Sequence, residues 1–145
     1  MSTYEDLNPR LREALIAKMQ EESPFWTLLG LELADVKNGW ARGRLPFAKK
    51  LVHPLGIAHG GAVFSAADSA VAMALIGLVE KDETFTTIEM KINYLRPFDE
   101  GEITAEAKII YKGGRTALGD VEVRNAGGIL IAKGLATYMI LKKSR

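Results

Sequence analysis

Residues 53–79 read HPLGIAHGGAVFSAADSAVAMALIGLV, and the fold turns on how that run is taken. Gly60 to Val79 is twenty residues with a single charge, Asp68. That is the length at which a membrane-spanning helix becomes a candidate. Three features argue against it: a start on two glycines, Ser65, Asp68 and Ser69 in its first half, and alternating strands rather than a basic flank after it. A helix apolar all round is also what a fully buried core helix looks like. Ala62, Ala66, Ala70 and Ala74 recur at four-residue spacing and make one side of it narrow.

Downstream, the period of the sequence changes from helical to two. In TTIEMKINYLRP, Ile88, Met90, Ile92 and Tyr94 point one way while Glu89, Lys91 and Asn93 point the other. The next strand repeats this with Ile103, Ala105, Ala107, Ile109 and Tyr111 inward, and Lys112-Gly113-Gly114 turns the chain into a third strand carrying Ala117, Gly119, Val121 and Val123. Asn125-Ala126-Gly127-Gly128 turns it again into ILIAKGLATYMIL. Small residues on these inner faces (Ala105, Ala107, Ala117, Gly119, Ala132, Gly134, Ala136) let a helix backbone approach a sheet closely at interior packing density.

Upstream, Leu7, Leu11, Leu15 and Met19 predict an amphipathic helix, and PFWTLLG makes a short apolar lead-in. LELADV and WARGRLP flank Asn38-Gly39, a hairpin dipeptide expected to place both residues at positive φ. A loop of about a dozen residues then reaches the glycines. The expected fold is α+β: a six-stranded antiparallel sheet wrapped around one long central helix, with a short N-terminal helix, in one domain spanning residues 1–145.

Composition narrows the function. The formal net charge is +1, so no overall field draws the chain to nucleic acid or a membrane surface. The absence of cysteine removes disulfides, a thiolate nucleophile and a Cys-based zinc site, and fits a reducing compartment. MSTYEDLNPRLREAL is polar and of mixed charge, unlike a secretory leader, which makes the cytoplasm the expected location. GIAHGG lacks the Lys-Ser/Thr of a P-loop, no G-x-S-x-G elbow surrounds Ser65 or Ser69, and two histidines without a carboxylate cluster make no metal site. No cofactor is implied.

What remains is the acid. Burying an unpaired carboxylate costs several kcal/mol, so Asp68 is either a structural aspartate bonded to backbone or water, or a functional group. His59, Gly60 and Gly61, about two turns upstream, open the same helix with N–H groups that no Cβ shields, at the positive end of its dipole, which suits an oxyanion. A partly desolvated carboxylate near such donors is a general base or nucleophile for acyl transfer. Yet eight residues of helix span about 12 Å, too far for both groups of one helix to act on one carbonyl. If both act on one substrate they come from different chains, which predicts a dimer with sites at its interface.

The run HPLGIAHGGAVFSAADSAVAMA, with PFWTLLGLELADVKNGWARGRLP before it and TTIEMKINYLRP after it, resembles the hotdog-fold acyl-CoA thioesterases, specifically their PaaI-like branch. The likeness extends from about Phe25 to Leu141. It implies an acyl-CoA substrate and an active site shared between subunits of a homodimer, with a homotetramer of paired dimers favoured. Asp68 then matches the catalytic carboxylate. Gly60 matches the glycine whose N–H polarises the thioester carbonyl, with His59 beside it and Gly61 following. Thr87 matches a Ser/Thr that orients water near the carboxylate. His53 stands where the branch usually has Asn, Asp or Gln; it can hold the carbonyl or a water, or carry a proton. Lys112, Gly113, Gly114 and Arg115 form a basic turn of the kind that contacts CoA phosphates or pantetheine in related enzymes, or else an ordinary solvated hairpin. Two other functions compete with hydrolysis. One is a hotdog-fold thioester dehydratase or hydratase pairing His53 with Asp68, although HPLGIAHGG lacks the proline-rich turn those enzymes show. The other is a non-catalytic acyl-CoA-binding module, which would tend to lack the carboxylate.

Overall fold

The central helix is held where its side chains are smallest. In the computed structural model, which describes residues 4–144, helix α3 (Gly60–Ile76) buries Ala62, Ala66, Ala67, Ala70, Val71 and Ala74 against a six-stranded sheet. Its elements are α1 (Pro9–Glu22), α2 (Pro24–Leu29), β1 (Glu32–Lys37), β2 (Trp40–Pro46), α3, β3 (Glu83–Tyr94), β4 (Glu102–Lys112), β5 (Thr116–Asn125) and β6 (Leu130–Lys142). Every neighbouring pair of strands is antiparallel, in the order β1-β2-β4-β5-β6-β3, and α3 packs chiefly on β2, β4 and β5. This is the expected α+β architecture. The approach is tightest at Gly119 of β5, where a methyl group would stand 2.4 Å from Cγ1 of the fully buried Val71. Glycine is there because the helix occupies the space a side chain would need.

The helix is not apolar all round. Phe64, Ser65, Asp68, Ser69, Ala72 and Ile76 form a half-buried stripe at helical spacing, so Asp68 stands at the margin of the covered face rather than inside it. β2, β4 and β5 cover one side of α3, whereas Asp68 on this stripe meets Thr87 of the edge strand β3 and Tyr138 of β6. Among the described residues, no helix is long and apolar enough to cross a membrane.

Strict alternation fails in two strands. In β3 the partners run Thr87↔Tyr138 and then Glu89↔Thr137, leaving Ile88 as an extra residue in a β-bulge. Ile88 is consequently 50% exposed, while Phe85 and Thr87 before the bulge and Met90 and Ile92 after it face inward. Tyr94, at the strand's end, is also half-exposed. A second irregularity between Ile109 and Tyr111 in β4 turns Tyr111 outward, 59% exposed. Both corrections have one cause, since a single inserted residue reverses the face of everything beyond it.

Three smaller expectations change. Helix α1 begins at Pro9, with the Asn8 side chain accepting from Arg10 N–H (3.0 Å), so Leu7 is buried ahead of the helix and not on it. Leu11 is exposed, while Leu15 and Met19 pack on the core as expected and are joined there by Ile16. PFWTLL is a six-residue helix closed by Gly30 at φ 83°. In the Asn38-Gly39 hairpin only the glycine adopts positive φ (81°).

Candidate active site

Two polar groupings lie along α3. The first is its N-terminal tip, built almost wholly by local contacts. Residues 53–57 close a tight loop in which His53 N–H donates to Ile57 O (3.0 Å) and Gly56 N–H donates to His53 O (2.9 Å), with Gly56 at φ 89°. His59 N–H donates to Leu51 O (2.7 Å), which fixes the entry into the helix. The His59 side chain caps it: Nδ1 accepts from Gly61 N–H at 2.8 Å. A methyl group at position 61 would sit 2.9 Å from that Nδ1, so the second glycine makes room for the cap. The N–H of Gly61 is therefore engaged within the chain, and Gly60 N–H is left without an acceptor among the described residues.

Gly60 has its own steric reason. The Tyr94 hydroxyl donates to Gly60 O (2.9 Å), and its ring lies where a methyl group at position 60 would be 3.1 Å from Cζ. His53 Nδ1 accepts from Leu55 N–H (3.0 Å) and, with His59 Nδ1 likewise an acceptor, each neutral ring carries its proton on Nε2. Both histidines are thus donors toward their surroundings, 6.3 Å apart between ring centroids. An open cleft of about 450 Å³ adjoins the tip, lined among others by His53, Ile57, Gly60, Val63, Tyr94 and Phe98.

The second grouping surrounds Asp68. Its Oδ1 accepts from Thr87 Oγ1 (3.0 Å) and from the Tyr138 hydroxyl (2.6 Å), while Oδ2 has no hydrogen-bond partner among the described residues. The same Tyr138 hydroxyl is 2.8 Å from the main-chain oxygen of Asp68. Burial, and then the hydrogen bond to Asp68, push the Tyr138 phenol well above its ordinary pKa. Thr87, which the resemblance places near the carboxylate to orient a water, here bonds the carboxylate directly. Tyr138 was missed, although it follows Ala132, Gly134 and Ala136 in phase on the inner face of β6, and a buried tyrosine hydroxyl needs a partner.

Within one chain the two groupings stay apart, since Gly60 and Asp68 belong to one continuous helix and are separated by about 12 Å of rise. His53 belongs to the tip and not to the Asp68 grouping. The Lys112–Arg115 turn belongs to neither. Gly113 N–H donates to Thr116 O (2.8 Å) and Ile140 N–H to Arg115 O (2.7 Å), which anchors the turn two residues beyond Tyr138 along β6. Lys112 and Arg115 are exposed there.

A helix tip with a free N–H and a carboxylate with one free oxygen are groups of the kinds that acyl-transfer chemistry uses, an oxyanion donor and a base or nucleophile. The family model described as thioesterase superfamily matches residues 55–132, a span containing both. This chain belongs to the thioesterase superfamily. It is 31% identical over 139 residues to a Saccharolobus solfataricus protein provisionally named an esterase, covering 96% of this chain and 92% of that one. A second relative, the medium/long-chain acyl-CoA thioesterase YigI of Salmonella typhimurium, is 30% identical over 132 residues, covering 81% of this chain and 85% of YigI. The structure of Escherichia coli PaaI, from the phenylacetic acid degradation operon, superposes with a TM-score of 0.80 at 23% identity, covering 88% and 91% of the two chains. The thioesterase assignment and the PaaI-like hotdog fold read from the motif both stand.

Proposed function

We propose that this thioesterase hydrolyses acyl-CoA thioesters at a site completed by two copies of the chain. The observation that carries the reading is the Asp68 carboxylate, with both donors on Oδ1 and Oδ2 left open. Oδ2 takes the proton of an attacking water, or itself attacks the thioester carbon. The oxyanion that develops is met by Gly60 N–H at a helix terminus, with the Nε2–H of His53 or His59 nearby. With water as the nucleophile, collapse of the tetrahedral species expels the CoA thiolate, which takes up the proton held by Asp68, and releases the free acid. With Oδ2 as the nucleophile, collapse expels the thiolate and leaves a mixed anhydride on Asp68, which a water then hydrolyses to the free acid, its proton passing to the thiolate.

The sheet's edge supports the pairing. β3 is bonded on one side only, and it carries Tyr94 against Gly60 at its C-terminal end and Thr87 against Asp68 in its first half. If two β3 strands pair antiparallel about a two-fold axis near Met90, Tyr94 of each copy meets Thr87 of the other. That brings one copy's helix tip toward the other copy's acid and closes the 12 Å gap left within a chain. The outer face of β6, where Leu135, Met139 and Leu141 are each 41% exposed, offers an apolar surface for two dimers to form a homotetramer. The basic Lys112–Arg115 turn then serves the CoA moiety.

The test is thiol release from a panel of aryl-CoAs and short, medium and long aliphatic acyl-CoAs, with the wild type and Asp68→Asn. The reading expects turnover of at least one class and a loss of about 10²- to 10⁴-fold in the variant. Wild-type rates in Asp68→Asn would remove the carboxylate from the mechanism. Hydration of crotonyl-CoA without thiol release would move the chain to the hydratases, and tight binding without turnover to the acyl-CoA-binding modules.

A further inference from the structure

We propose that Tyr138 is a positioning residue for Asp68, holding one carboxylate oxygen so that the other faces the thioester; this rests on Asp68 being the catalytic acid. Tyr138 and Thr87 are direct cross-strand partners on the inner face of the sheet, and both hydroxyls converge on Asp68 Oδ1, at 2.6 and 3.0 Å. The convergence depends on the bulge at Ile88. Without it, the alternation that turns Met90 and Ile92 inward would turn Thr87 to the outer face with Glu89 and Lys91.

Tyr138 is a fixed anchor. It is 2% exposed, its ring stands edge-on to Phe85 with centroids 5.8 Å apart, and its hydroxyl lies between Oδ1 and the main-chain oxygen of the same aspartate. A donor bridging a residue's side chain and its own backbone restricts both side-chain torsions of that residue. The buried phenol keeps its proton throughout the neutral range, so it is a donor to the carboxylate at any working pH. With two donors on Oδ1, the lone pairs of Oδ2 are the ones available to a water or an acyl carbon. Free rotation of the carboxylate would scramble that assignment. A misplacement on the order of 1 Å at a reacting group is enough to cost about 100-fold in rate.

The test is Tyr138→Phe, which keeps the ring in the core beside Phe85 and removes only the hydroxyl. The expected result is a fall in kcat of about 10- to 100-fold, with KM unchanged and the protein fully folded at the assay temperature, its melting temperature lowered modestly by the lost hydroxyl contacts. The same substitution placed in Asp68→Asn should cause no further loss, since a positioning group has nothing left to position. An unchanged kcat in Tyr138→Phe overturns the proposal, as does an equal proportional loss in both backgrounds or a loss that tracks the fraction of unfolded protein. The two readings fail separately: wild-type turnover in Asp68→Asn sinks the catalytic acid, whereas an inactive Asp68→Asn beside a fully active Tyr138→Phe sinks only the role of Tyr138.

Discussion

The two ends of the proposed chemistry are made in different ways. At the tip of α3 the contacts are short in sequence: His59 to Gly61, His53 to Leu55, His53 to Ile57. The distant contributors are Tyr94, 34 residues from Gly60, and Phe98, whose main-chain oxygen accepts from Ala58 N–H (2.8 Å). At Asp68 every contributor beyond the helix is distant, Thr87 by 19 residues and Tyr138 by 70. A loop that folds on itself sets the backbone donors, while a sheet that must first assemble sets the orientation of the acid. Damage to the tip should accordingly stay local, whereas the acid should respond to anything that moves the sheet against the helix.

The largest effect that separates the two regions is at the acid itself. Asp68→Asn should abolish most turnover while the fold and the sedimentation of the wild type are kept, read by thiol release, circular dichroism and sedimentation. Next comes the tip. Gly60→Pro removes the tip N–H that has no acceptor among the described residues, proline is accommodated at the first helical position, and His59 at ψ 136° already has the extended backbone that a following proline requires. Loss of one oxyanion donor should cost about 10²- to 10³-fold in kcat. Gly60→Ala, which meets the Tyr94 ring in the same place but keeps its N–H, should lose far less. Equal losses in the two variants would mean that crowding of Tyr94, and not the donor, explains the proline result.

A smaller effect tests the seam between helix and sheet. Gly119→Ala forces a methyl group against Val71 and should destabilise the fold by about 1–3 kcal/mol in denaturant titrations. Because Val71 lies one turn beyond Asp68 on α3, kcat should fall as well if the acid's setting depends on that packing. The smallest is His59→Ala, which removes the helix cap at a cost of about 1 kcal/mol. Its thermal shift should leave the Asp68 grouping intact, with kcat reduced less than in Gly60→Pro.

The same contrast explains what the sequence could say. The helix tip was legible because glycine, histidine and a change of period are local signals, and the small inner faces announced a close helix–sheet approach that Gly119 and Val71 bear out. Asp68 and Thr87 were both identified, but the bulge that faces them was not. Ile88 is apolar, β-branched and in phase with Met90 and Ile92, so alternation assigned it inward and gave no sign of an inserted residue. The phase of β6 places Tyr138 inward, but which partner its hydroxyl takes was not legible, for a related reason. Its partner is 70 positions away, and nothing in LATYMIL distinguishes a core tyrosine from one that grips a carboxylate.

The claim on which the account depends is that one copy's acid works with the other copy's helix tip, and subunit complementation tests it most directly. Asp68→Asn and Gly60→Pro chains, each inactive alone, are mixed, dissociated and reassembled, with mixed dimers verified by native mass spectrometry. A shared site leaves one intact site in every mixed dimer, so random reassembly should restore about one quarter of wild-type turnover. Verified mixed dimers with no more activity than the two parents would mean that each chain carries its whole site, and would contradict the account.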